Sequence, residues 1–481
     1  MKKLLGIAVL GLLWCNISFA DFADDEHHAD FNQWLYQSGN HQYLNIEQKP
    51  VCKKLIQQHG LKVPKVGLVD EPKYKSMEWF SNKCHKFQAT NNLKIKRNKN
   101  KKRNNITVGS NPNKDTLIYY LWNYSYRQRS SMDVRTAGVE LKPTKKPYEF
   151  KFNLIEDKFV KKQMKTKGIL SYLYYQDGQV LIDETSPKER LGKFMNDETK
   201  YYSMSMSKSL VSYIIGHAIC DGYIDGVDAR INDWSILNNS LYYNQKLIDL
   251  LNMSAGDQEY INEFKNNIND AEYENESIYK TINVVFKDSI KSKSIYNYNG
   301  FVTQLILNYT KYKTGDDYDK LLNKIFIDKV KIKHSILFSI LAYSKFKNII
   351  YEKDGNRHPN ISASRYDWLR IAKAIMDDYQ NDTCVGKYLK EIHKRRVPKN
   401  YNEHIKEPEF NRTKSYGGQF HMDYKGIEDR VVFGMGGYGG QAILIDMENS
   451  RIVVLNSLHY NNKKFKYSVK KLLIDPIKKG K

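Results

Sequence analysis

Two stretches of dense apolar residues, far apart in the chain, set the first expectation. "ILSYLYYQDGQVLIDE" at 169–184 holds two β-rich runs around Asp177-Gly178. Asp-Gly accepts the positive φ angles of a two-residue hairpin turn, so the stretch predicts a β-hairpin. "AILIDMENSRIVVLN" at 442–456 reads as a second hairpin, and "KYSVKKLLIDPIKK" after it as a closing helix. Apolar positions at helical spacing cover about 154–166, and helical and loop segments fill the middle. Two hairpins at opposite ends of one region predict an α+β domain over 146–481. Its antiparallel sheet is built from both ends and flanked by helices, with a mainly helical subdomain inserted. The cleft between sheet and helices is the natural place for a site. Residues 21–145 are polar, irregular and Asn/Lys-rich, with short apolar patches such as "LIYYLWNYSY". They read as an N-terminal extension whose role the sequence does not assign.

The first twenty residues change the picture of where the chain works. Lys2 and Lys3 precede the apolar run Leu4–Trp14, and Ser18-Phe19-Ala20 places small residues at −3 and −1 of a cleavage site. The run is too short to span a bilayer, so it predicts a bacterial export signal, a mature chain from Asp21, and a periplasmic or secreted protein. No later stretch is apolar enough to cross a membrane. Four cysteines would remain after cleavage: Cys52, Cys84, Cys220 and Cys384. An even count in an exported chain suggests disulfides in one of three connectivities. Cys52–Cys84 is the preferred pair, because both lie in the N-terminal region. Cys220, after an apolar helix, reads equally well as a buried thiol. The formal net charge is +23, and the densest basic run is "KIKRNKNKKRNN" at 94–105. That run lacks the interleaved aromatics of a single-strand platform, so it reads as a solvated loop and no nucleic-acid partner is expected.

Candidate chemistry centres on "YYSMSMSKSLVSYIIGHAICDGYIDG" at 201–226, where Ser205 and Lys208 stand three apart. The Ser-x-x-Lys spacing alone means little, since it recurs at Ser277/Lys280, Ser344/Lys347 and Ser468/Lys471. Only Ser205/Lys208 opens a helix apolar enough to be buried, and i, i+3 places both side chains on one face. A lysine at its reference pKa near ~10.4 is no base at neutral pH. Desolvation and the positive end of the helix dipole both favour the neutral amine that could take the serine proton. The helix start also offers backbone N–H groups to an oxyanion.

Together with four further segments, this run resembles the serine β-lactamase and penicillin-binding superfamily. The likeness is to its class C-like branch, with the esterases and the 6-aminohexanoate-dimer hydrolases. "SMSKSLVSYIIGHAICDGYIDGVDARINDW" resembles the nucleophile helix, and "LLNMSAG" (250–256) the "LLxMTSG" signature. "YNYNGFVTQLI" (296–306) resembles the segment of the catalytic Tyr. "SYGGQF" (415–420) and "FGMGGYGGQAILID" (433–446) resemble the strands of the far wall. The resemblance covers about 150–475 and implies Ser205 as nucleophile, with Lys208 and Tyr298 as acid/base. Tyr296 is the alternative to Tyr298. The oxyanion donors would be the backbone N–H groups of Ser205 and Tyr438, and Gly437, Gly439, Gly440 and Gln441 would line the substrate pocket.

Two departures bear on substrate. Gly300 stands where the family's Tyr-x-Asn has its Asn, and Met435-Gly436-Gly437 stands where penicillin-recognising relatives carry Lys-Thr-Gly. Without that cation, efficient β-lactamase activity is not expected. The expected substrate is a small amide or ester, a cell-wall peptide being compatible with the compartment, with no metal or organic cofactor. The rival reading is a non-catalytic cell-envelope binding protein with a degenerate site. Gly434-x-Gly436-x-x-Gly439 also satisfies a dinucleotide fingerprint, but a hairpin rather than a helix is predicted after it. Gly-x-Ser-x-Gly and His-Glu-x-x-His are absent, and His217 reads as a core histidine.

Overall fold

The computed structural model describes residues 138–261, 278–340, 357–399, 413–458 and 463–479. The export signal, the basic run, Cys52 and Cys84, and the Ser344/Lys347 copy lie outside the described residues, as does most of the N-terminal extension.

In chain order the strands are β1 (Gly138–Leu141), β2 (Lys151–Phe152), β3 (Ile169–Gln176), β4 (Gln179–Thr185), β5 (Lys200–Tyr202), β6 (Ile336–Ile340), β7 (Arg357–Ser364), β8 (Val397–Pro398), β9 (Thr413–Gly417), β10 (Phe420–Tyr424), β11 (Val432–Gly437), β12 (Gln441–Asp446) and β13 (Arg451–Ser457). The helices are α1 (Lys158–Thr166), α2 (Met206–Cys220), α3 (Leu247–Leu251), α4 (Ile278–Val285), α5 (Phe301–Thr314), α6 (Tyr318–Asn323), α7 (Arg365–Gln380), α8 (Cys384–Lys394) and α9 (Asp475–Lys478). The main sheet has the order β2-β4-β3-β13-β12-β11-β10-β9-β8, and a smaller one the order β1-β6-β7-β5.

The hairpin at 169–184 forms as β3–β4, with Asp177 at φ 47° and Gly178 at φ 88° in the turn. The hairpin at 442–456 forms as β12–β13. Strand β13 then pairs antiparallel with β3, Val453 opposite Tyr174, which joins the two ends of the domain into one sheet as expected. Both faces of these central strands are covered. Leu173, Tyr175, Ile443 and Val454 pack with α2 and α7, while Tyr172, Tyr174, Leu444 and Val453 pack with α1 and the C-terminal Leu472 and Ile477. Burial on both faces explains why the strands read as nearly continuous apolar runs rather than strict alternation.

Three boundaries differ from the sequence reading. Helix α1 begins at Lys158, not near 154, because the Asp157 carboxylate caps it by accepting from the Phe159 and Val160 N–H groups at 2.8 and 2.9 Å. Leu154 and Ile155, counted as helical, lie exposed. Strand β1, in the stretch read as extension, pairs with β6 in the smaller sheet. Cys220 is not a thiol: it forms a disulfide with Cys384, tying the C-terminal end of α2 to the start of α8. Among the described residues no helix is long and apolar enough to cross a membrane.

Candidate active site

The turn that presents Ser205 is fixed by the smaller sheet. Past the end of β5, the Ser203 N–H donates to the Ile361 carbonyl at 2.8 Å, and the Ser203 Oγ accepts from the Ile361 N–H at 3.0 Å. Met204 follows with φ 48°, a left-handed conformation that an unbranched residue adopts only at a cost. It turns the chain sharply into α2. Ser205 occupies the N-cap position of α2, yet its side chain makes no capping hydrogen bond. A capping serine normally gives its oxygen to a backbone N–H one turn on; here that use of the hydroxyl is forgone.

Behind it, α2 is buried from Met206 to Ala218. Gly216 lets α8 approach: a Cβ there would meet the Tyr388 ring at 2.6 Å. Lys208 is only 8 % exposed, which removes it from bulk water. Its Nζ lies 5.3 Å from the centre of the Tyr298 ring. Tyr298 is half-buried, while Tyr296 is buried against Met253 and Tyr416. Of the two tyrosines left open by the sequence, Tyr298 presents its ring to Lys208.

The loop carrying Tyr298 is pinned from below by Asp257, the residue just after the "LLNMSAG" stretch. Its carboxylate accepts from the Tyr242 hydroxyl at 2.8 Å and from the Asn297 and Asn299 amides at 3.3 Å each. Burial pushes the Asp257 carboxyl pKa upward, and these donors oppose that shift. The Asn299 side chain also accepts from the Val302 N–H at 2.9 Å, starting α5. Gly256 is required where it stands: φ is 75°, and a Cβ would lie 2.5 Å from the Ser292 carbonyl oxygen. Gly300 is exposed, with nothing within 4 Å of a Cβ built on it.

The opposite wall is the β11–β12 turn. A Cβ on Gly437 would lie 2.6 Å from the Ser203 carbonyl oxygen, so the end of β11 abuts the turn that carries Ser205. Tyr438 heads the turn with its side chain exposed, and Gly439 and Gly440 follow at φ 87° and 85°. The hairpin excludes the dinucleotide reading, because β12 rather than a helix follows the glycines. Gln441 is a correction to the pocket reading as far as its side chain goes. It is 1 % exposed, its amide donating to the Ser457 carbonyl and its Oε1 accepting from the Ser457 N–H at 3.2 Å, so it clamps β12 to β13. Met435 is packed into the main core.

Sequence reasoning missed several groups here. The residue just after "SYGGQF" is His421, which no sequence motif singles out. That histidine is buried, and its Nδ1 lies 2.7 Å from the Nζ of Lys399. Lys399, also buried, bonds Thr413 Oγ1 as well. Burial, then the charges of Lys399 and Lys208, push the His421 pKa well below the usual imidazole range, so the ring is neutral at physiological pH. Its ring lies 6.2 Å from that of Tyr298, at 23° to it. Gln419 locks this edge to the helices: its carbonyl accepts from Ser209 Oγ at 2.7 Å, and its side chain bonds Thr303 Oγ1 and the Leu251 carbonyl. The Asn, Gln and Lys involved were indistinguishable in a chain rich in such residues.

His217 lies in the core as expected, but it is not fully satisfied there, because its Nε2 is buried without a hydrogen-bond partner. Its ring packs edge-on against Tyr213 at 4.7 Å, and burial lowers its pKa to about 4. Lys471, of the Ser468 copy, is exposed. Among the described residues, no group of three or more His, Cys, Asp and Glu gathers as metal ligands would.

No protein-family model matches the chain, and no curated protein sequence does. Solved structures do. A protein assigned as a 6-aminohexanoate-dimer hydrolase from Bacillus anthracis superposes with a TM-score of 0.52 at 14 % identity, over 78 % of this chain and 96 % of that one. A protein assigned as a β-lactamase from Bacteroides dorei gives 0.47 at 13 % identity over 65 % and 93 %. FmtA from Staphylococcus aureus gives 0.44 at 15 % identity over 70 % and 94 %. With the main sheet built from both ends of the domain, the chain has an α+β, β-lactamase-like fold, shared with the Bacillus anthracis protein.

Proposed function

We propose that the chain is an exported serine hydrolase that cleaves a small amide or ester through an acyl-enzyme on Ser205. The observation that carries this reading is the sequestration of Lys208 one helical turn from Ser205 and against the Tyr298 ring. An ammonium withdrawn from water is the form that burial disfavours, and a neutral amine there accepts a proton. In the proposed sequence the Ser205 oxygen bonds to the substrate carbonyl carbon while its proton passes to Lys208, assisted by Tyr298. The backbone N–H groups of Ser205 and Tyr438 hold the oxyanion, supported by the contact of Gly437 with the Ser203 turn. Collapse of the tetrahedral intermediate breaks the bond to the amine or alcohol, which leaves with the proton. Water, deprotonated by the same Lys/Tyr pair, then releases the acid and restores Ser205.

Gly437, Gly439 and Gly440 line the pocket through backbone, where the lack of side chains permits close approach. Met435 in the core leaves that strand position without a cation, which supports a substrate other than a β-lactam. A peptide of the cell wall fits the inferred compartment. The exposed, empty surroundings of Gly300 favour the rival reading, a binding protein without turnover, because no amide there holds a substrate carbonyl. A fluorophosphonate probe with intact-mass readout separates the two. One adduct on the Ser205 peptide, lost in Ser205→Ala, supports the hydrolase; no adduct beside a labelled control hydrolase overturns it.

A further inference from the structure

Two buried lysines converge on His421 from different elements, and the acyl-transfer scheme uses only one of them. Lys208 comes from α2 and Lys399 from the chain just beyond β8, where its backbone N–H bonds the Lys414 carbonyl at 2.9 Å. Tyr416 of β9 stands opposite Val397 and His421 in the sheet register. The Lys399 Nζ lies 5.9 and 5.8 Å from the centres of the Tyr296 and Tyr416 rings. Those faces, with the Thr413 hydroxyl and a ring nitrogen, suit a cation. An ammonium has only donors, so the nitrogen it meets must accept.

We propose that Lys399 and His421 are positioning residues for Tyr298: the Lys399 ammonium, donating to Nδ1, fixes His421 as its neutral Nε2–H tautomer, and that imidazole plate sets the Tyr298 ring beside Lys208. The ring contact of 6.2 Å at 23°, followed by the 5.3 Å approach of Lys208 Nζ to Tyr298, gives a continuous path from Lys399 to the proposed acid/base pair. Held neutral, His421 adds no positive charge beside the Lys208–Tyr298 pair. The charged and titratable groups facing His421 include Lys399, Lys208, Tyr298 and Tyr416. The kinetic consequence rests on the hydrolase reading, whereas the tautomer does not.

The test compares the full-length wild type with Lys399→Met, which keeps the apolar stem and removes the charge. Long-range proton–nitrogen NMR on histidine-labelled protein reads the tautomer, with His421→Asn assigning the resonance. The expected wild-type signal is a neutral Nε2–H imidazole that does not titrate between about pH 5 and 8, the ordinary histidine range. In Lys399→Met the tautomers mix, the ring takes up a proton at higher pH, and a new acid limb enters the kcat profile. Loss of ring placement is expected to lower kcat about 10- to 100-fold with KM changed by less than roughly threefold. Lys399→Arg restores part of kcat. If Lys399→Met does not fold, Thr413→Val, which removes one anchor of the ammonium, shows the same changes to a smaller degree. An unchanged His421 tautomer and titration in a folded variant overturns the proposal, as does an unchanged kcat profile. Failure of the fluorophosphonate to label wild type overturns the hydrolase reading and leaves the NMR result to decide the Lys399–His421 pairing.

Discussion

Gly437→Ala tests whether the end of β11 must touch the Ser205 turn. The added Cβ would lie 2.6 Å from the Ser203 carbonyl oxygen, where ordinary contact begins near 3.4 Å. Either β11 or the Ser203 turn must therefore retreat by roughly 0.8 Å. The obstacle is backbone on one side and the Gln441 side chain at 2.8 Å on the other, so no flexible tip can swing away. Gly437 is not among the residues at positive φ, which makes the effect steric rather than conformational. Overpacking of this kind costs about 1–3 kcal/mol of stability. Catalysis should suffer more, because the Tyr438 N–H moves with the strand: loss of one oxyanion donor is worth about 2.7–4 kcal/mol, or ~100- to 1,000-fold in kcat. The assay is kcat on a chromogenic ester, with thermal melting to show that the variant folds. A folded Gly437→Ala protein with wild-type kcat would refute the placement of the second oxyanion donor at Tyr438.

Three further outcomes follow from the same geometry. Unfolded, His217 takes up a proton below about pH 6.5; folded, it resists until about pH 4, so stability held above the window is lost as pH falls through it. The loss amounts to about 3 kcal/mol by pH 4, and pH-dependent denaturation of His217→Gln should show it reduced. Cys220 and Cys384 close a loop spanning 164 residues. Replacing both with Ser should lower stability by about 2–5 kcal/mol, read from the denaturant midpoint, and an unchanged midpoint would deny the bond. Asp257→Asn sets an amide N–H₂ against donors from Asn297, Asn299 or Tyr242. It should cost about 1–3 kcal/mol and lower kcat, since the Tyr298 loop is loosened. Wild-type kcat would remove Asp257 from the support of that loop.

What could be read without coordinates was local. Asp177-Gly178 encodes its own turn, so the first hairpin and its strands were legible. Ser205 and Lys208, three apart on a helix, share a face by helical geometry alone. The apolar run behind them declared its burial. The start of α1 was misjudged because apolar spacing ran on past the Asp157 cap, and a single capping carboxylate outweighs periodicity there.

What the fold alone decided was long-range. Register across β8, β9 and β10 places Lys399 on His421, residues that look like two more polar positions in a Lys-rich chain. The same holds for Asp257 under the Tyr298 loop and for Cys220 with Cys384. It holds too for the Gln441 side chain, which turns into the sheet rather than the pocket. Sequence spacing fixes which neighbours on one helix or hairpin can meet, because backbone geometry is periodic. It carries no distance between segments whose approach depends on how layers pack, and in this protein most of the groups that support the site belong to such segments.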